Sequence, residues 1–198
     1  MVDREHDEAL VKRYLQGDTN AFAALVRKHE RRMYNLALRM LGKEEDAHDA
    51  TQDAFLTALR KLDQFRGDAA FSTWLHRVTV NACYDVLRKR ARAPMLRLAG
   101  EEGEEAEPGP PVADHADAVV GRTDVERALA KVPVEYRVVL VLHEVQDLAY
   151  EDIARVLDIP VGTVKSRLHR GRIALAKALG VLPAQEHARP AETSEGQP

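Results

Sequence analysis

The chain has 198 residues, of which 5% are aromatic, and 29 basic against 32 acidic side chains give it a formal charge of −3. So few aromatics among abundant Ala, Leu, Glu and Arg disfavour sandwiches and barrels and favour an all-α fold. The slight net acidity argues against a protein that coats nucleic acid indiscriminately.

The first apolar periodicity places Phe22, Leu25, Val26, Met33, Leu36, Ala37, Met40 and Leu41 at three-and-four spacing, which predicts an amphipathic helix ended by Gly42. A second helix carries Ala47, Ala50, Ala54, Phe55, Ala58, Leu59 and Leu62 on one side. Glu44, Glu45, Asp46, Asp49 and Asp53 crowd its start, where acids suit the helix dipole. Gln64 to Asp68 reads as a loop. Phe71, Trp74, Leu75, Val78, Ala82, Val86 and Leu87 then mark a third helix running into the basic stretch Arg88 to Arg92. Residues 8–92 thus form a first helical block.

Residues 93–121 hold Pro94, Pro108, Pro110, Pro111 and several glycines, and Gly100 to Asp117 carries seven acids and no Lys or Arg. This composition predicts a flexible acidic linker. A second helical block spans 122–180, with helices over 125–131, 134–145, 150–157 and about 160–179. The residues 181–198 read as a disordered tail. The expected architecture is therefore two small helical domains on a tether.

Cys83 is the only cysteine, which excludes an internal disulfide and a cysteine-based zinc site within the chain and points to a reducing, cytoplasmic setting. Its apolar helix flanks favour a buried structural thiol over a reactive one. The start of the chain lacks a signal-peptide core, and the longest aliphatic run, Val138 to Leu142, is too short to span a bilayer, so no direct membrane insertion is expected. No phosphate-cradling glycine loop, nucleophile elbow or H-E-x-x-H pattern is present. The sequence reads as a non-enzyme with neither cofactor nor metal.

Ile153, Ala154 and Leu157, a turn through Asp158, Ile159 and Pro160, and then Val164 and Leu168 have the spacing of a helix-turn-helix. Pro160 suits the first turn of the second helix. Asp158 stands where glycine is common, and Ala149 stands where a capping hydroxyl is expected. From Ile159 to Gln185 there are five basic residues and no acid. Thr163, Lys165, Ser166, Arg167 and Arg170 offer donors to phosphates and base edges.

Three motif groups occur together and in order. Asp46-Ala47-His48-Asp49-Ala50-Thr51-Gln52-Asp53-Ala54-Phe55-Leu56 resembles the polymerase-binding helix of region two in extracytoplasmic-function (ECF) sigma factors. Phe65-Arg66-Gly67-Asp68 with Phe71-Ser72-Thr73-Trp74-Leu75 and Val80-Asn81-Ala82 resembles that family's promoter-melting loop and helix. Tyr150 to Ala154 with Val161 to Leu168 resembles its region four.

The resemblance, over about residues 8 to 180, implies an alternative sigma factor. Region two would bind the clamp helices of the largest subunit of core RNA polymerase through Asp49, Gln52, Asp53 and Leu56. It would capture the melted minus-ten element through Arg66, Phe71, Trp74, Arg77, Asn81 and Arg88, with Asn81 as base reader; for the aromatics Phe71 and Trp74 the alternative to a stacking platform is core packing, Trp74 sharing a stripe with Leu75 and Val78. Region four would read the minus-thirty-five duplex and meet the flap of the second-largest subunit. The resemblance also implies an anti-sigma factor, often membrane-anchored, and a linker that passes near the RNA path. The competing reading is a conventional helix-turn-helix regulator that binds duplex DNA without replacing the housekeeping sigma factor.

Overall fold

The computed structural model describes residues 2–98 and 123–181. The expected linker, apart from its first residues, and the expected tail beyond Val181 lie outside these. Among the described residues there is no strand. Helices α1 (Val2–Leu15), α2 (Thr19–Leu41), α3 (Glu44–Lys61) and α4 (Phe71–Leu98) precede the linker. Helices α5 (Asp124–Ala130), α6 (Val134–Leu140), α7 (Tyr150–Leu157) and α8 (Val161–Ala178) follow it.

The chemistry at the helix ends explains several boundaries. Gly42 closes α2 in the left-handed conformation (φ 77°), with its N–H donating to the Leu38 carbonyl at 2.8 Å, as only a residue without Cβ does cheaply. Glu44, Glu45 and Asp46 occupy the first turn of α3. A reciprocal box starts α5: the Thr123 hydroxyl accepts from the Glu126 N–H, and the Glu126 carboxylate accepts from the Thr123 N–H. In the helix-turn-helix, Ala149 provides no side-chain cap, and Asp158 takes the left-handed conformation (φ 54°) that ends α7.

Four boundaries differ from the sequence reading. Helix α1 has no expected counterpart. Helix α4 continues to Leu98, past the boundary drawn at Arg92. Pro160 is the N-cap of α8 (φ −60°, ψ 146°) and not a residue of its first turn. The single helix expected over 134–145 is α6 followed by a π turn, Val141–Val145, in which the Gln146 N–H bonds to the Val141 carbonyl five residues back.

Two apolar cores result. The first, of Leu10, Val11, Leu25, Met33, Phe55, Leu62, Phe71 and Leu75, binds α1 to the bundle of α2, α3 and α4. Helix α1 is also fixed by its buried Asp7, which pairs with Lys28 at 2.8 Å and with His29 at 3.0 Å. The second core does not stop at the linker. Leu36, Met40, Leu41, Val80 and Cys83 from before it pack with Val139, Leu142, Ile153, Val164 and Leu168 from after it. Both expected helical domains are present, and here they share an interior, because α2 and α4 carry more apolar surface than their own bundle covers.

Gly171 marks the closest crossing within the second domain. A Cβ there would lie 2.9 Å from Leu140 Cγ and 3.2 Å from the Tyr136 carbonyl oxygen. Gly171→Val is expected to destabilise this domain by about 2 kcal/mol, since overpacking at a backbone contact exceeds the helix propensity gained. Thermal denaturation followed by circular dichroism checks this, and an unchanged midpoint would show that α6 and α8 can separate at no cost.

Candidate nucleic-acid interface

Helix α3 presents one face to the core and the other outward. Ala47, Ala50, Ala54 and Ala58 are wholly buried, and Asp49, Gln52, Asp53 and Leu56 are exposed. Leu56 is 53% exposed and Leu59, one turn on, 37%, so an acidic edge borders a small apolar patch. Charge and apolar area together can receive a basic, partly apolar helix surface.

A groove of about 810 Å³ runs between α3 and α4. Asn81 and Arg88 line it, together with Arg60, Lys61, Lys89 and Arg92, which the sequence reading did not select. Five cations against Asp53 and Asp85 make its floor attractive to phosphate. Asp85 pairs with Arg88, which positions that guanidinium along the groove. Asp53 therefore lies at the border of this groove as well as on the acidic edge.

A second cleft, of about 410 Å³, sits where the loop after α3 meets the start of α4 and is lined by Arg66, Gly67, Asp68, Trp74 and Arg77. Gly67 turns this loop with φ 75°. The Trp74 ring is half-buried, its centre 5.5 Å from that of Phe65 and 5.7 Å from that of Phe71 in tilted contacts, so it is held in place with part of its surface open. Phe71 requires a correction. It is 1% exposed and packs among His29, Phe65 and Trp74, so it supports the aromatic platform from beneath and offers no face to a DNA strand. Its position at the first turn of an amphipathic helix turns it inward, whereas Trp74 sits at the rim.

On α8, Val164 and Leu168 are buried, and Lys165, Ser166 and Arg170 project to the surface. Thr163 and Arg167 are half-buried. The Lys165 ammonium lies 5.9 Å from the Tyr150 ring centre, and the Ser166 hydroxyl donates to the Thr163 carbonyl. Arg167 is close enough to Tyr84 of α4 for its charge to act on that phenol. Arg172 pairs with Glu144 at 2.7 Å and so belongs to the scaffold more than to a free surface. Cys83 is fully buried, and burial pushes its thiol up to about 12, which disfavours the thiolate.

An acidic helix face, an aromatic cleft beside a cationic groove, and a basic helix of the helix-turn-helix thus lie on one chain, whose two parts both match the sigma-70 class. Residues 25–93 match the family model of Sigma-70 region 2, and residues 122–175 match that of Sigma-70, region 4. The chain is 43% identical over 176 residues to the ECF RNA polymerase sigma factor SigM of Mycobacterium tuberculosis, covering 89% of this chain and 86% of that protein. It is 37% identical over 190 residues to the RNA polymerase sigma-H factor of Pseudomonas aeruginosa, covering 90% and 96%. Among solved structures it resembles the sigma factor RpoE in complex with the anti-sigma factor NepR from Bartonella quintana. The TM-score is 0.64 and the identity 26%, over 81% of this chain and 97% of that one.

The chain belongs to the ECF RNA polymerase sigma factors. It is an alternative sigma factor that directs promoter-specific transcription initiation, and the region-two match leaves the conventional regulator without support. Among the described residues, no helix is long and apolar enough to cross a membrane.

Proposed function

We propose that the three surfaces divide the work of initiation. The exposed edge Asp49, Gln52, Asp53 and Leu56 docks on the clamp helices of core polymerase. The cleft and groove of Arg66, Trp74, Arg77, Asn81 and Arg88 take the melted minus-ten strand, and Thr163, Lys165, Ser166, Arg167 and Arg170 read the minus-thirty-five duplex. The observation that carries this reading is a half-open tryptophan in a cleft that also holds Arg66 and Arg77, beside the cation-lined groove between α3 and α4, where an unstacked base finds a platform and its phosphates find charge. The protein acts without cofactor, catalyses no reaction itself and operates in the cytoplasm.

An anti-sigma factor is the expected regulatory partner, since a solved relative is bound to one. The domain division at 8–92, 93–121 and 122–180 belongs to the same reading, with the acidic linker occupying polymerase's RNA path.

The experiment is reconstitution with core RNA polymerase. The double variant Gln52→Ala with Asp53→Ala is expected to weaken core binding at least tenfold, about 1.4 kcal/mol. Lys165→Ala with Arg170→Ala should leave core binding intact and abolish preference for a promoter with its own minus-thirty-five element. Core binding measured by fluorescence anisotropy and run-off transcription separate the two. Equal loss of both activities in both variants would refute the division.

A further inference from the structure

The π turn after α6 serves two faces. On one it buries Gln146 in the seam between the domains, where the Gln146 side-chain oxygen accepts from Arg32 Nε at 3.0 Å. On the other it sets His143 beside the start of the helix-turn-helix. Asp147 reverses the chain here with φ 56°. Two hydrogen bonds close the loop: the Leu148 N–H donates to the Leu142 carbonyl at 3.0 Å, and His143 Nδ1–H donates to the Leu148 carbonyl at 3.1 Å. The second of these fixes both the tautomer and the bearing of the imidazole.

The His143 ring lies against Tyr150, the first residue of α7, with 5.0 Å between centres. Tyr150 is half-buried and packs on the apolar core, and the Lys165 ammonium of α8 stands over its ring, 5.9 Å from the centre. A line of contacts thus runs from the main chain of the turn, through two rings, to an exposed cation of the recognition helix. Helix α8 carries no acid between Val161 and Ala178, so its own residues offer Lys165 no carboxylate. The next residue of the π turn, Glu144, pairs with Arg172 at 2.7 Å, two turns further along α8. The turn therefore braces the recognition helix at two points.

We propose that Tyr150 is a positioning residue for minus-thirty-five recognition: its ring, oriented by His143, holds the Lys165 ammonium in place at the DNA-facing surface of α8. The proposal rests on the reading of Lys165 as a minus-thirty-five contact. A lysine stem loses rotamer freedom when it is fixed against DNA, and a ring that holds it beforehand removes part of that loss. The attraction of an exposed ammonium to an aromatic face is worth about two- to fivefold in an equilibrium constant. The role belongs to the ring and not to the hydroxyl, so phenylalanine can take it over and an aliphatic side chain cannot.

Two measurements on the full chain test this. In the free protein, the ring current should move the Lys165 ε-methylene proton resonance upfield of those of the other lysines, with Lys165→Arg identifying the signal. The shift should persist in Tyr150→Phe and vanish in Tyr150→Leu. In the holoenzyme with core polymerase, Tyr150→Leu should lower the preference for a promoter bearing its minus-thirty-five element about threefold, and Tyr150→Phe should restore it. In a Lys165→Ala background the change to leucine should cost nothing more, because the contact is already gone. An unshifted Lys165 in the wild type would overturn the proposal, and that result needs no variant to fold. Equal losses in Tyr150→Phe and Tyr150→Leu would overturn it too, by assigning the effect to the hydroxyl. Full promoter preference in Lys165→Ala would instead refute the minus-thirty-five reading; the ring-current shift, measured without DNA, still decides whether Tyr150 holds Lys165.

Discussion

Phe71→Ala is expected to destabilise the first domain by about 3–5 kcal/mol, the range for deleting a buried aromatic ring and leaving a cavity. A domain of this size has total stability of about 5–15 kcal/mol, so the variant should be partly unfolded at physiological temperature. The argument is geometric. Phe71 is 1% exposed, lies 5.6 Å from His29, 5.9 Å from Phe65 and 5.7 Å from Trp74, and belongs to the core that fixes α1 against the bundle. Trp74→Ala should differ in kind. Its ring is half-open, so stability falls less, while initiation on a duplex promoter falls more than on one with a pre-melted minus-ten segment. Thermal melting paired with those two templates checks both statements. If Phe71→Ala melted like the wild type and still lost duplex initiation, the ring would have to face DNA and the packing described above would be wrong.

What could be read from the sequence, and what could not, follows from the reach of each signal. Helices α2, α3 and the body of α4 were legible because each repeats apolar residues at helical spacing over several turns, with Gly42 and the acids Glu44 to Asp46 as local stop and start marks. Asp158 and Ala149 were recognisable departures from the usual helix-turn-helix, and both kept the motif. Helix α1 was not legible, because much of its hold on the bundle comes from Asp7 meeting Lys28 and His29, about twenty positions away in sequence. The π turn leaves no compositional trace, yet it alone puts Gln146 in the seam. Arg60, Lys61, Lys89 and Arg92 were visible as charges, but their convergence on one groove needs the pairing of α3 with α4. Periodicity likewise put Val86 and Leu87 on the apolar face of α4 without showing that region four packs there.

Acid should loosen the closed molecule between pH 6.5 and about pH 4, and His76 is the group responsible. This imidazole is 1% exposed on α4, where Nδ1–H donates to the Ser72 carbonyl at 2.6 Å and Nε2 lies 3.4 Å from the Gln146 side-chain oxygen. Burial pushes its pKa down to about 4, and the charges of Arg32 and His29 add to that. The hydrogen bonds to Ser72 and Gln146 act in the opposite direction without reversing it. An exposed histidine titrates near 6.5. Opening or unfolding therefore takes up a proton throughout the window between these values, and the folded state loses stability as pH falls across it, by about 3 kcal/mol at the lower end. Below that, both states are protonated at His76 and its contribution levels off. Asp7 acts in a separate range. Burial raises its carboxyl, but the hydrogen bonds and charges of His29 and Lys28 outweigh this, so its net pKa lies below the ordinary 3.8 and its contribution disappears only in stronger acid. Urea denaturation at pH 7.5, 5.5 and 4.5 is expected to show a falling midpoint in the wild type and a flatter profile in His76→Gln. Equal pH dependence in the two proteins would mean that the His76 pKa is the same in the folded and unfolded states, and that the seam admits water.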